Sequence, residues 1–241
     1  YVKTPAPTAH SMPNTPELVV HMALPMPKIK IRHIKSDIDT RVCCEILSTC
    51  LGNSFAGRLM RVMRAEHGLT YGTTCEMRFG ELLNGEANPF LYFTATLKPE
   101  DLHQGLNLMT DTIRNALATD SPSRLLQSNA DTRHEFGVAR ECLQTHWTRS
   151  STSRPVASAV MVSHQMHGTQ YDARAEKLGA LGEETDALLQ FDNYATKLGA
   201  LLEKSNDLCL YTSVVGTNAE DHVRSFVSGT PAAAAVGNTL T

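Results

Sequence analysis

The chain is short of several things, and each absence narrows its chemistry. Its 241 residues hold no apolar run near the roughly 20 that a membrane helix needs, and no stretch resembling a signal-peptide h-region. A membrane span is therefore not expected. Positive charge is not in excess: 22 Lys and Arg stand against 25 Asp and Glu, for a net charge of −3. Nucleic acid is not expected as a partner, because a phosphate backbone calls for a basic surface. None of the six cysteines (Cys43, Cys44, Cys50, Cys75, Cys142 and Cys209) forms a C-x-x-C pair, which argues against a structural zinc or a redox dithiol. They read as small buried hydrophobes in a reducing intracellular compartment. No G-x-S-x-G elbow marks a nucleophilic serine, and no G-x-G-x-x-G or G-x-x-x-x-G-K loop marks a phosphate site.

What is present is ordinary globular material, 41% hydrophobic and 20% charged. Residues 1–16, rich in Pro, Thr and Ala, read as an extended lead-in or linker. Residues 17–228 read as the folded domain, and 229–241 as a flexible Ala/Gly/Thr tail. Glu17–Leu24 alternates as a strand, with Val19, His21 and Ala23 on one face and Leu18, Val20, Met22 and Leu24 on the other. Lys28–Lys35 alternates basic and apolar residues and reads as a lysine-guarded extended edge, against the alternative of a basic ridge for an acidic partner. Ser36 or Asp37 is expected to cap a helix to Leu51, burying Ile38, Val42, Ile46, Leu47 and Cys50.

Further on, Phe90–Leu97 is an uninterrupted strand signal. The turn dipeptide Asn84-Gly85 should join it to the preceding strand as a hairpin. Pro99–Ala118 is the clearest amphipathic helix. Ser121-Pro122 is expected to start a long helix reaching about Trp147. Helical periodicity returns over Val156–Met166 and Thr185–Glu203, and Leu208–Gly216 is a last strand before a short helix. A central hairpin rules out a doubly wound arrangement. The expectation is α+β: an antiparallel or mixed sheet with helices packed on one face.

The chain is organised around Leu51–Tyr71, LGNSFAGRLMRVMRAEHGLTY. Asn53-Ser54 offers an N-cap, and Phe55, Leu59, Val62 and Met63 form one apolar helical stripe. Arg58, Arg61 and Arg64 recur every three residues along another side. Gly68 is the expected stop, and from Leu69 the period changes to two, placing Leu69, Tyr71, Thr73, Cys75, Met77 and Phe79 on one strand face.

This stretch resembles a segment of the pitrilysin/insulinase family of zinc peptidases, which includes the mitochondrial processing peptidases. Leu51, Gly52, Arg58, Leu59, Arg64, Glu66, Gly68, Leu69 and Tyr71 carry the likeness; Ala65 departs from it, standing where the family usually has Glu. The element order over residues 17 to 217 also resembles the second domain of each half in that family. The resemblance implies the zinc-free domain, in which Arg64 and Tyr71 help to hold a peptide substrate. The family's catalytic signature, H-x-x-E-H, is not present. Zinc would then belong to an H-x-x-E-H domain or partner subunit and not to this chain. A mitochondrial location also follows only from the resemblance. His134-Glu135 and His222 lack partners at a ligand spacing, and the pair His164 and His167 has no accompanying carboxylate.

Three functions remain open. The chain is the substrate-positioning domain of a clamshell metalloendopeptidase, inactive alone. Or it is a scaffold or recognition subunit of the same family, such as a respiratory-complex core protein or a processing-peptidase partner. Or it is an independent interaction module. Arg64 and Tyr71 favour the first, since a pure scaffold has no chemical use for that pair.

Overall fold

The computed structural model describes residues 2–27, 29–30, 34–52, 56–81, 86–118, 121, 124–152, 189–203 and 208–229. The expected Asn53-Ser54 cap, the Asn84-Gly85 turn, the Val156–Met166 helix, the His164/His167 pair and the tail from 230 lie outside them.

A mixed sheet forms one layer. β3 (Leu18–Pro25) lies between β8 (Tyr211–Gly216) and β6 (Glu86–Leu97), antiparallel to both. β4 (Ile29–Lys30) continues along the same edge of β6, and β5 (Thr73–Glu81) takes its other edge. The β5–β6 pairing is the expected hairpin, with Thr73 opposite Ala95 and Glu81 opposite Ala87. The α+β expectation therefore holds, and the sheet is of the mixed kind. Its parallel member comes from the segment read as a lead-in: β2 (Thr8–Ser11) pairs with β8. From the same segment, β1 (Val2–Lys3) pairs in parallel with β7 (Leu208–Cys209) as a separate two-stranded sheet. Residues 2–3 and 8–11 of the extended lead-in are thus paired as strands. Their Pro and Thr content is compatible with short edge strands, where an amide hydrogen can be spared.

Burial follows the two-residue period. In β3, Leu18, Val20, Met22 and Leu24 are buried while Val19, His21 and Ala23 are half-exposed. In β6, Leu91, Phe93, Ala95 and Leu97 continue the buried face. The helices lie on that side. α1 (Ile34–Gly52) packs on β4, β5 and β6 and is covered in turn by α4 (Ala130–Thr152) and α5 (Phe191–Glu203). Because it is sandwiched, Cys43, Cys44 and Leu51 are buried together with the expected Val42, Ile46, Leu47 and Cys50. Its start at Ile34 precedes the expected Ser36 or Asp37 cap. α3 (Leu102–Leu117), entered through a 3₁₀ turn at Pro99–Asp101, buries Leu102, Leu106, Met109, Ile113 and Leu117 on the spacing read from sequence. α6 (Ala219–Gly229) packs on β2 and β8.

One helix begins elsewhere than expected. α4 does not start at Ser121-Pro122 but after Asn129. There the Asn129 Oδ1 accepts from the Thr132 amide at 2.9 Å, and the Asn129 amide donates to Thr132 Oγ1 at 3.2 Å. Two orphan donors are satisfied reciprocally, a stronger start than Ser-Pro supplies. The last strand also divides. Leu210 separates β7 from β8, and its amide donates to Lys3 O at 2.8 Å.

Candidate functional site

The organising stretch is helical and stops at Gly68 as expected, but it is not one regular helix. Gly57 sits in extended conformation ahead of one α-helical turn, α2 (Arg58–Met60). The chain then widens into a π-helical turn over Arg61–Glu66. Such turns are rare, short, and frequent at functional sites. Of the expected stripe, Leu59 and Met63 are buried, Val62 is half-exposed and Phe55 lies outside the described residues; Met60, not part of it, is buried as well. The Gly68 amide donates to Arg64 O at 3.0 Å and the Leu69 amide to Met63 O at 2.8 Å. Each bond spans one residue more than in a Schellman ending, consistent with the wider turn. Gly68 adopts φ +66, the left-handed conformation expected of the stop.

The three arginines have different fates. Arg58 is buried, and its Nε donates to Glu135 Oε1 at 3.3 Å while Nη2 donates to Oε2. Arg61 is half-exposed and reaches the same carboxylate, Nη2 to Oε1, at 3.2 Å, and lies 3.7 Å from Glu66. Arg64 is exposed and its side chain makes no hydrogen bond, ion pair or ring contact with a described residue. The regular three-residue recurrence thus conceals one core cation, one tether and one open cation.

Tyr71 corrects the strand expectation. Leu69 and Thr70 are both buried, whereas Tyr71 is 85% exposed. The ladder starts only at Thr73, so Tyr71 does not share a strand face with Leu69. The reason is local. Thr70 Oγ1 donates to Gly72 O at 3.0 Å and accepts from the Gly72 amide at 3.2 Å. This side-chain clamp competes with the ladder and turns the chain outward at Tyr71. From Thr73 the expected parity returns, with Thr73 buried and Cys75 and Met77 packed against the core. The site therefore holds two exposed side chains, a guanidinium and a phenol, on either side of a left-handed glycine. Both can donate hydrogen bonds, and neither can generate a nucleophile unaided.

Sequence reasoning missed Glu135. It stood beside His134 as part of a failed zinc spacing. In the structure it lies on the buried stripe of α4 with Thr132, Phe136, Ala139 and Leu143. An acid on an otherwise apolar helical face was the available signal, because such a group needs a buried cation. The same interior holds Cys50, whose thiol contacts Glu135 O at 3.9 Å and is pushed up to about 12 by burial and then by the Glu135 charge. Burial likewise pushes the Tyr194 phenol well above its ordinary range; its ring packs on Phe136. These groups stay protonated at neutral pH and are inert.

The outer face of the sheet is polar. Tyr92 Oη lies 2.6 Å from His21 Nδ1, and the Arg78 guanidinium stands 3.9 Å over the Tyr92 ring while pairing with Glu76 at 3.1 Å. Thr74 and Thr94 hydroxyls meet at 2.7 Å. Among the described residues, no three His, Cys, Asp or Glu side chains group as metal ligands would, and no helix is long and apolar enough to cross a membrane.

No profile of a known protein family and no curated protein matches this sequence. Solved structures do resemble it. The inactive domain of an M16 peptidase from Pseudomonas fluorescens superposes with a TM-score of 0.58 at 14% identity, over 90% of this chain and 44% of that one. A candidate zinc protease from Bordetella pertussis gives 0.55 at 16%, over 85% of this chain and 96% of that one. A chain of complex III2 from Candida albicans gives 0.54 at 9%, over 94% of this chain and 49% of that one. The protein thus has the fold of the inactive M16, or pitrilysin-type, domain. It spans less than half the length of the Pseudomonas and Candida chains.

Proposed function

We propose that this chain is the non-catalytic half of an M16-type peptidase and that Arg64 and Tyr71 hold a peptide against zinc carried by another domain or subunit. The observation that carries this reading is the pair itself. Its members are exposed, their side chains make no hydrogen bond or ion pair with a described residue, and they are displayed around Gly68 by a π-helical turn and a threonine clamp. A guanidinium fork suits a peptide carbonyl or carboxylate, and a phenol suits the scissile carbonyl or the oxyanion that develops from it. The partner would supply the H-x-x-E-H motif and the zinc it holds, whose chemistry would be activation of water. This chain contributes donors only.

The test is kinetic, in an enzyme assembled from this chain and its H-x-x-E-H half. Tyr71→Phe removes one hydroxyl. If that hydroxyl serves the oxyanion, kcat falls by roughly 10²-fold, the scale of one lost oxyanion donor. Unchanged kcat and KM in both Tyr71→Phe and Arg64→Ala would remove the positioning role.

A second reading has its own support. The likeness to a complex III2 chain, over 94% of this chain, fits a scaffold subunit that performs no hydrolysis. In that case Arg64 and Tyr71 would contact protein and not substrate, and no assembled form would cleave peptides.

A further inference from the structure

We propose that Glu135 is a positioning residue for Arg64, acting through Arg61. The idea takes from the functional reading only the importance of Arg64; the tether itself is a property of this chain. Glu135 is buried on α4, and two guanidinium groups converge on its carboxylate. One of them, Arg58, is itself buried, so the pair Arg58–Glu135 is already neutral. Arg61 is not needed to balance charge there, and it is exposed enough to be solvated without help. What its bond does is mechanical. It ties the first residue of the π-helical turn to a fixed anion in the core, seventy-odd positions along the chain, at Glu135.

The π-helical turn needs such a tie. A π-helical turn is rare and occurs mostly as a single turn within α-helix, so its surroundings must select it over the regular α-helix. A π turn advances less rotation per residue, which moves Arg64 off the line of Arg58 and Arg61 toward solvent. Were the turn to relax to α-helix, Arg64 would swing back toward that line. At its far end the turn is closed by Gly68 on Arg64 O and Leu69 on Met63 O. Those two amides report whether the turn persists.

The experiment uses the whole 241-residue chain and residue-resolved amide hydrogen exchange. Arg61→Ala leaves the buried Arg58–Glu135 pair in place, so the fold survives. Exchange at Gly68 and Leu69 is expected to rise by roughly tenfold or more while α3 amides keep their rates, the mark of a local opening. Arg61→Lys, which can still reach Glu135, should restore most of the protection. Glu66→Gln, which alters only the 3.7 Å contact with Arg61, should change neither amide. Glu135→Gln, if it folds, should resemble Arg61→Ala. The idea is overturned if Arg61→Ala leaves Gly68 and Leu69 protected, if it loosens α3 equally, or if Glu66→Gln reproduces its effect. Failure of the peptide-holding role would show instead as unchanged kinetics in Arg64→Ala, and would leave these exchange rates untouched.

Discussion

Gly52, the last residue of α1, lies so near Cys75 of β5 that a β-carbon on Gly52 would stand 2.1 Å from the Cys75 β-carbon and 2.2 Å from its amide nitrogen. The Leu51-Gly52 pair at the head of the organising stretch is therefore a packing requirement. The helix and the strand approach backbone to backbone. Gly52→Ala should cost about 1–3 kcal/mol or more, the range of overpacking in a tight interior. A denaturant melt measures it. Because the clash includes backbone, Cys75→Ala should not rescue the variant.

Leu59 is fully buried between the organising turn and the core. Leu59→Ala should lower folding stability by about 2–5 kcal/mol. A loss under 1 kcal/mol in equilibrium unfolding would show that the turn is loosely packed.

Arg64→Ala should raise KM for a peptide in the assembled enzyme, since a ground-state contact is lost, whereas Tyr71→Phe should act mainly on kcat. Both side chains are exposed, so neither variant should shift the melting temperature appreciably. A fall in melting temperature matching the fall in rate would reassign the pair to structure.

His21 gives the fold a pH dependence. Its pKa is lowered from 6.5 by burial and then by the Arg78 charge. The folded state therefore binds this proton less readily than the unfolded chain. Its contribution to stability is intact above about pH 6.5 and is lost as pH falls from there through the folded-state value. Melts across pH 5 to 8 should show that decline, and His21→Gln should flatten it. A decline of equal slope in His21→Gln would place its origin in other groups.

The parts of the fold legible in sequence were those where one periodicity governs a whole element. β3 and α3 bury the residues that alternation and helical spacing select, and β6 forms where the uninterrupted strand signal stands. The stop at Gly68 was legible because glycine takes the left-handed conformation at no steric cost. What was not legible depends on partners distant in sequence or on a few competing hydrogen bonds. Arg58 and Arg64 have the same type and spacing, and it is Arg58 that meets the buried Glu135, 77 positions away. The π-helical turn has no periodic signature over six residues. Tyr71 fits strand alternation, and only the Thr70 hydroxyl turns it out. Arg64 and Tyr71 themselves were singled out by resemblance, because an exposed Arg and Tyr have no pattern of their own.

The placement of β2 beside β8 also bears on how the chain is made. Thr8–Ser11 finds its parallel partner in Ser213–Gly216, and Thr217 Oγ1 donates to Met12 O across 205 positions. A ribosome releases residues 8–11 long before their neighbours exist. Until β8 emerges, β3 has one open edge and the early strand has nothing to pair with, so the last step of folding waits for nearly all of the domain. Loop closure over that span is slow compared with forming α3 or the β5–β6 hairpin. An emerging chain therefore carries an unpaired strand edge through most of its synthesis, the feature that chaperones screen.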